Sequence, residues 1–189
     1  MKKKLLVLLV VPLLLLSFAV VSWAGTTLPK KKQTDLSLYV TAKEVFTKWH
    51  AEPNKIKILD VRTPGEYVFV GHAPMATNIP IFFFKDGIDF KKMKPVMALN
   101  ENFVNEVKKK FKETDTIMIM CRSGTRSAIA VNKLAKAGFK NVYNITDGFE
   151  GVKLDAPESY NNGKSIVNGW KNSGASWTYK FDPKLVYLP

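Results

Sequence analysis

The chain has 189 residues, with 29 Lys and Arg against 16 Asp and Glu for a formal charge of +13, and a single cysteine. One cysteine excludes an internal disulfide, so a hydrophobic core must stabilise the fold. The basic residues come in short scattered groups (Lys30 to Lys32, Lys91 to Lys94, Lys108 to Lys110) with no recognition motif around them, which argues against a nucleic-acid partner and for a surface that draws in small anions.

Lys2 to Lys4 precede an almost wholly apolar run, Leu5 to Val21, and Ser22-Trp23-Ala24 puts small residues where a signal peptidase reads. The pattern predicts a secretory signal peptide over residues 1–24, a periplasmic or otherwise exported protein, and no stable membrane insertion after cleavage. An uncleaved N-terminal anchor is the alternative, since the run approaches the ~20 residues that span a bilayer. Cleavage removes 24 residues and three lysines, leaving 165 residues at +10, enough for one domain with a real core.

Residues 25–35 read as a polar, mobile linker. Ser37 to Val40 reads as a short strand, and Thr41-Ala42-Lys43-Glu44 as a capping box opening a helix to His50. Lys55 to Asp60 is a buried strand ending in a carboxylate. Thr63-Pro64-Gly65-Glu66 repeats the helix-start signature, with Pro64 suited to the first helical position. Ala76 to Pro80 is another short strand. Ile81 to Leu99 reads as an irregular surface excursion with a turn at Asp86-Gly87, and Asn100 as the cap of a helix to Lys112.

Thr116 to Met120 is a continuous apolar strand of the kind buried on both faces of a parallel sheet. Ser127 to Ala137 follows as a helix with Gly138 just past its end, then a strand at Val142 to Ile145 and a turn at Asp147-Gly148. Strand-helix-strand alternation predicts an α/β domain, a mostly parallel sheet with helices, over residues 36–151. Residues 152–189 carry Tyr160, Trp170, Trp177, Tyr179, Phe181 and Tyr187, more aromatics than a disordered tail holds. They read as an ordered extension packing on the domain, or alternatively as a docking site for a partner.

The strongest chemical signal is Cys121 at the end of the buried strand, followed by Arg122-Ser123-Gly124-Thr125-Arg126 and a helix. Ligands of open α/β sheets sit outside the carboxyl ends of strands. Successive loop N–H groups curl into a nest, Gly124 allows the dihedral such a curl needs, and the helix points its positive end the same way. With Arg122 and Arg126 as permanent cations, these features favour the thiolate as nucleophile and the binding of an oxyanion. The bland reading, an inert buried thiol, leaves both arginines without a reason. Arginine falls after four intervening residues, whereas a cysteine phosphatase places it after five, here Ser127. The tighter loop suits sulfur rather than phosphate, and arsenate reduction would also need a resolving cysteine.

Ile58-Leu59-Asp60-Val61-Arg62, Glu66-Tyr67, Gly71-His72-Ala73-Pro74, the loop Cys121 to Arg126 and Asp147-Gly148-Phe149 together resemble the successive motifs of rhodanese domains. The resemblance covers about Leu36 to Gly151. It implies a doubly wound parallel sheet flanked by helices on both faces and a sulfurtransferase in which Cys121 takes sulfane sulfur from a small anionic donor such as thiosulfate. The sulfur then passes to a thiol, cyanide or a protein acceptor. Cys121 is the nucleophile; Arg122, Ser123, Gly124, Thr125 and Arg126 bind substrate. The resemblance implies no cofactor and no metal.

Asp60 is expected either to orient loop groups or to cap a turn, Arg62 and Glu66 to pair in structural support, and His72 to hold its turn. Met75 stands where many family members have Gly. Trp170-Lys171-Asn172-Ser173-Gly174 resembles the family's closing segment after an excursion. A second function class, a persulfide carrier with little turnover that docks a partner, shares the same loop.

Overall fold

A computed structural model describes residues 28–188. The signal-peptide reading therefore lies outside the described residues.

Five strands form one parallel sheet: β1 (Tyr39–Val40), β2 (Ile56–Asp60), β3 (Thr77–Asn78), β6 (Thr116–Met120) and β7 (Val142–Ile145), in the order β1-β7-β6-β2-β3. Every pairing in it is parallel. Strand alternation sends Ile56, Ile58, Met118 and Met120 into one core and Leu59, Ile117, Ile119 and Val142 into another. The first core packs against α1 (Ala42–Ala51) and α2 (Pro64–Phe69) through Val45 and Tyr67. The second packs against α3 (Phe103–Lys110) and α4 (Thr125–Lys136) through Phe103, Val107, Val131 and Leu134. Helices thus cover both faces, as the alternating pattern requires, and each buried large side chain contributes roughly 1.5–3 kcal/mol.

Both capping boxes form. Thr41 and Thr63 each accept from the amide three residues on, while Glu44 and Glu66 reach back to the cap amides. Asn100 does not cap α3. Its side chain is buried, donates to the Pro80 carbonyl and accepts from the Asn102 amide, and the helix starts at Phe103.

Ile81 to Leu99 is not irregular. It forms an antiparallel hairpin, β4 (Phe82–Asp89) and β5 (Lys94–Leu99), with a bulge between Phe84 and Ile88. Asp86-Gly87 lies at that bulge; the reversal comes at Phe90 to Met93, where the Lys92 amide donates to the Asp89 carbonyl. Lysines masked the strand pattern, because both faces of this hairpin are largely solvated.

The expected linker is also packed from residue 28 onward. A 3-10 turn, Lys30–Lys32, lies against α4, and Lys32 is 9% exposed. Its ammonium donates to the Thr146 carbonyl at 2.8 Å. At the other end a small hairpin, β8 (Val152–Lys153) and β9 (Ser165–Val167), leads to a 3-10 turn, Trp170–Asn172. Trp170 is buried edge-on to Phe46, and Thr178 exchanges both backbone bonds with His72. Trp177 lies where a Cβ on Gly71 would stand, so that turn admits only glycine. No helix of the described residues is long and apolar enough to cross a membrane.

Candidate active site

Cys121 follows directly on β6, the middle strand of the sheet, flanked by the ends of β2 and β7. Its side chain is 1% exposed, yet it lines a cleft of about 470 Å³ together with Arg122, Arg126, Glu66, Lys31 and Lys94. The thiol therefore opens onto that cleft.

The loop turns tightly because Gly124 adopts φ +95°, a left-handed conformation; a Cβ there would run into the Thr146 backbone. This turn aims the Gly124 N–H at Sγ, 3.2 Å away. It is the one main-chain donor to Sγ among the described residues, so the expected ring of amides around the thiol is narrower than the sequence suggested. The N–H groups of Arg122, Ser123, Thr125 and Arg126 make no hydrogen bond among the described residues. They remain free for an incoming anion at the positive end of α4.

A second partner for the sulfur comes from the first turn of α4. Ser127 Oγ lies 3.4 Å from Sγ and donates to Asn144 Oδ1 at 2.6 Å. Asn144 Nδ2 donates to the carbonyls of Gly124 and Lys32, which fixes which end of the amide accepts. A hydroxyl has one proton, so with Asn144 holding it the Ser127 oxygen is left to accept from a Cys121 thiol. Ser127 is fully buried at the position where a phosphatase carries its arginine, leaving that side chain no room.

The sequence missed Ser127 as a sulfur partner, Asn144 and Lys32. The one signal was an Asn inside a strand otherwise made of Val, Tyr and Ile, where Asn is disfavoured. Burial pulls the Lys32 ammonium below its ordinary value, while the nearby Cys121 and Asp147 oppose that shift.

Arg126 does not stand free in the cleft. It forms a bidentate pair with Glu66; burial works against its charge, but the two hydrogen bonds and the opposite charge outweigh burial and hold the guanidinium above its ordinary value. Arg122 is exposed and lines the cleft without a hydrogen-bonded partner among the described residues. The expected pairing of Arg62 with Glu66 does not occur. Arg62 instead pairs with Asp60 at 2.6 Å, both fully buried, and donates to the Gly71 carbonyl with its guanidinium over the Phe149 ring. Asp60 also accepts from the Arg62 amide, a turn-capping bond. Asp60 and Arg62 therefore brace β2 against the turn carrying His72. The His72 Nδ1–H donates to the Tyr67 carbonyl, and its ring stacks on Tyr67.

A family model for the Rhodanese-like domain matches residues 43–155. Among curated proteins, the chain is 35% identical over 127 residues to the uncharacterized protein RP600 of Rickettsia prowazekii, covering 67% of this chain and 85% of that one. It is 37% identical over 93 residues to thiosulfate sulfurtransferase 16, chloroplastic, of Arabidopsis thaliana, covering 49% and 70%. Among solved structures, the crystal structure of Rv0390 from M. tuberculosis is similar with a TM-score of 0.58 at 26% identity, over 75% of this chain and 96% of that one.

Proposed function

The chain belongs to the rhodanese-like domain family, and we propose that it is a sulfurtransferase that moves sulfane sulfur from thiosulfate or a similar anion to a thiophilic acceptor through a Cys121 persulfide. The observation that carries the proposal is the placement of Sγ. It has an N–H donor at 3.2 Å, free loop amides around it, and an opening into a cleft rimmed by Arg122, Lys31 and Lys94.

In the first half-reaction the Cys121 thiolate attacks the outer sulfur of thiosulfate. A bond forms between the two sulfurs, the bond to the central sulfur breaks, and sulfite leaves with the electron pair. The Gly124 N–H and the free loop amides stabilise the anionic persulfide, and Arg122 stabilises the departing dianion. Arg126 shares its charge with Glu66 and chiefly shapes the wall. In the second half-reaction an acceptor attacks the outer sulfur and the Cys121 thiolate leaves. The two steps are separate, so kinetics should be ping-pong.

The test is steady-state thiosulfate:cyanide turnover. Parallel double-reciprocal lines, abolished in Cys121→Ser, are expected; turnover surviving that substitution would refute the proposal. The signal-peptide reading adds that the protein acts outside the cytoplasm, which an N-terminus beginning after Ala24 in secreted or periplasmic material would support.

One observation favours the second reading, a persulfide carrier that docks a partner. Phe84 lines the cleft, and the same hairpin exposes Phe90 and Met93, each 78% exposed. Exposed apolar side chains beside a reactive site suit a docking surface. Of the C-terminal aromatics offered for that role, Trp170, Trp177 and Tyr187 are spent on packing, while Tyr160, Tyr179 and Phe181 stay exposed. Stoichiometric sulfur loading with negligible turnover would favour this reading.

A further inference from the structure

Behind the catalytic loop lies a second cleft, of about 280 Å³, lined by Lys31, Lys32, Arg122 and Lys153 and by no carboxylate. At roughly 30 Å³ per water it has room for a group of several heavy atoms. Ser123 and Thr125 line it as well, so it shares a wall, Lys31 with Arg122, Ser123 and Thr125, with the cleft that reaches Cys121. Cys121 itself does not line it. An anion seated there must be joined by several bonds to any sulfur that reacts.

Thiosulfate does not meet that condition, because its charged oxygens lie only two bonds from the transferred sulfur and fit the Cys121 cleft alone. A thiol with a carboxylate a few bonds away does. The cleft is built in part from Pro29, Lys31, Lys32 and Ser165, which lie outside the family match. Its walls are held in place. The Lys32 ammonium is tied to the Thr146 carbonyl and its own carbonyl to Asn144, and Lys153 is carried by the β8–β9 hairpin.

We propose that this second cleft is a carboxylate subsite for the acceptor, and that the favoured acceptor is a small thiol bearing one or more carboxylates. The inference rests on the sulfurtransferase reading of the Cys121 cleft. The acceptor thiolate attacks the outer persulfide sulfur and forms a new S–S bond. The old one breaks, and the Cys121 thiolate leaves with the electron pair. The product is the acceptor's persulfide, and no oxidant is consumed.

The deciding experiment is calorimetric titration of the full-length protein with S-methylmercaptosuccinate, which keeps the carboxylates and has no free thiol. Binding to one site is expected, weakened about fivefold in Lys153→Gln or Lys31→Gln and further by raising salt, with no binding of the dimethyl ester. Both lysines are exposed, so neither substitution threatens the fold. Equal affinity for acid and ester, no binding of the acid, or wild-type affinity in both variants would overturn the proposal. This titration needs no sulfur transfer. A protein that binds the acid yet takes no sulfur from thiosulfate would refute the catalytic reading and leave the subsite standing. With a loaded protein, the rate of persulfide discharge by mercaptosuccinate relative to 2-mercaptoethanol should fall about fivefold in Lys153→Gln; an unchanged ratio would contradict acceptor selection.

Discussion

The Arg126 guanidinium grips the Glu66 carboxylate through two N–H···O bonds, 2.7 Å to Oε2 and 2.6 Å to Oε1, and Oε2 also accepts the Thr63 amide. The capping box that starts α2 thereby fixes a wall of the Cys121 cleft. Glu66→Gln preserves the cap, since Gln serves in a capping box, but removes the ion pair. The partly buried Arg126 is left uncompensated, and a loss of about 2 kcal/mol is expected by denaturant unfolding. The cleft also becomes more positive, so KM for thiosulfate should fall about two- to fivefold. A higher KM would mean that the pair positions Arg126 for the donor.

Glu66 also sets an acid dependence. Burial pushes its carboxyl up, but the Arg126 guanidinium and the Thr63 donors outweigh burial and hold it below the ordinary value. The folded state then binds fewer protons than the unfolded chain. The resulting stability is fully present above the unfolded value of about 4.3 and is lost as pH falls through the lower folded one. Thermal unfolding of wild type and Glu66→Gln should show a Tm gap that is constant near neutrality and closes below about pH 4. A gap that persists unchanged into acid would contradict this origin.

Gly124→Ala should be severe. It forces a left-handed φ on an alanine and drives a methyl group into the Thr146 backbone. At least about 2 kcal/mol should be lost in unfolding experiments. The Gly124 N–H would also turn away from Sγ, and the folded fraction should load sulfur at least about tenfold more slowly. Wild-type loading would show that this donor is dispensable.

Ser127→Ala leaves Asn144 Oδ1 buried without its 2.6 Å donor and should cost about 1–3 kcal/mol. With its proton on Asn144 the hydroxyl accepts from the thiol and favours its neutral form, so loading of the folded fraction by thiosulfate should not slow; slower loading would show that the hydroxyl donates to the sulfur instead. Stopped-flow separation of the two half-reactions checks this.

Asp60→Asn breaks a fully buried ion pair and strands the Arg62 charge in the core, with an expected cost of about 3–5 kcal/mol in chemical denaturation. The pair braces the fold and does not line the Cys121 cleft. A substitution that spares stability yet abolishes sulfur loading would reverse that assignment.

Local signals made part of this molecule legible. Thr41 and Thr63 announced their helices because a capping box is settled within four residues. The five residues from Thr116 to Met120 are apolar enough to fix a buried strand, and with it the place of Cys121 at a strand end. The hairpin from Phe82 to Leu99 was hidden because its faces are solvated, so alternation carries little hydrophobic contrast. The partners of Arg126 and Arg62 were misjudged for another reason. Proximity in sequence favoured Arg62 with Glu66, but the fold brings Glu66 to a residue sixty positions away. Lys32 and Asn144 matter through contacts with residues distant in sequence, Thr146 for the one and Ser127, Gly124 and Lys32 for the other, and no pattern of neighbours encodes them.

The most direct test of Cys121 as the sulfur carrier is intact-protein mass spectrometry before and after exposure to thiosulfate, followed by peptide mapping. A gain of one sulfur atom on Cys121, removed by cyanide and absent in Cys121→Ser, is the expected result. An unchanged mass after thiosulfate, or sulfur retained by the Cys121→Ser protein, would contradict it.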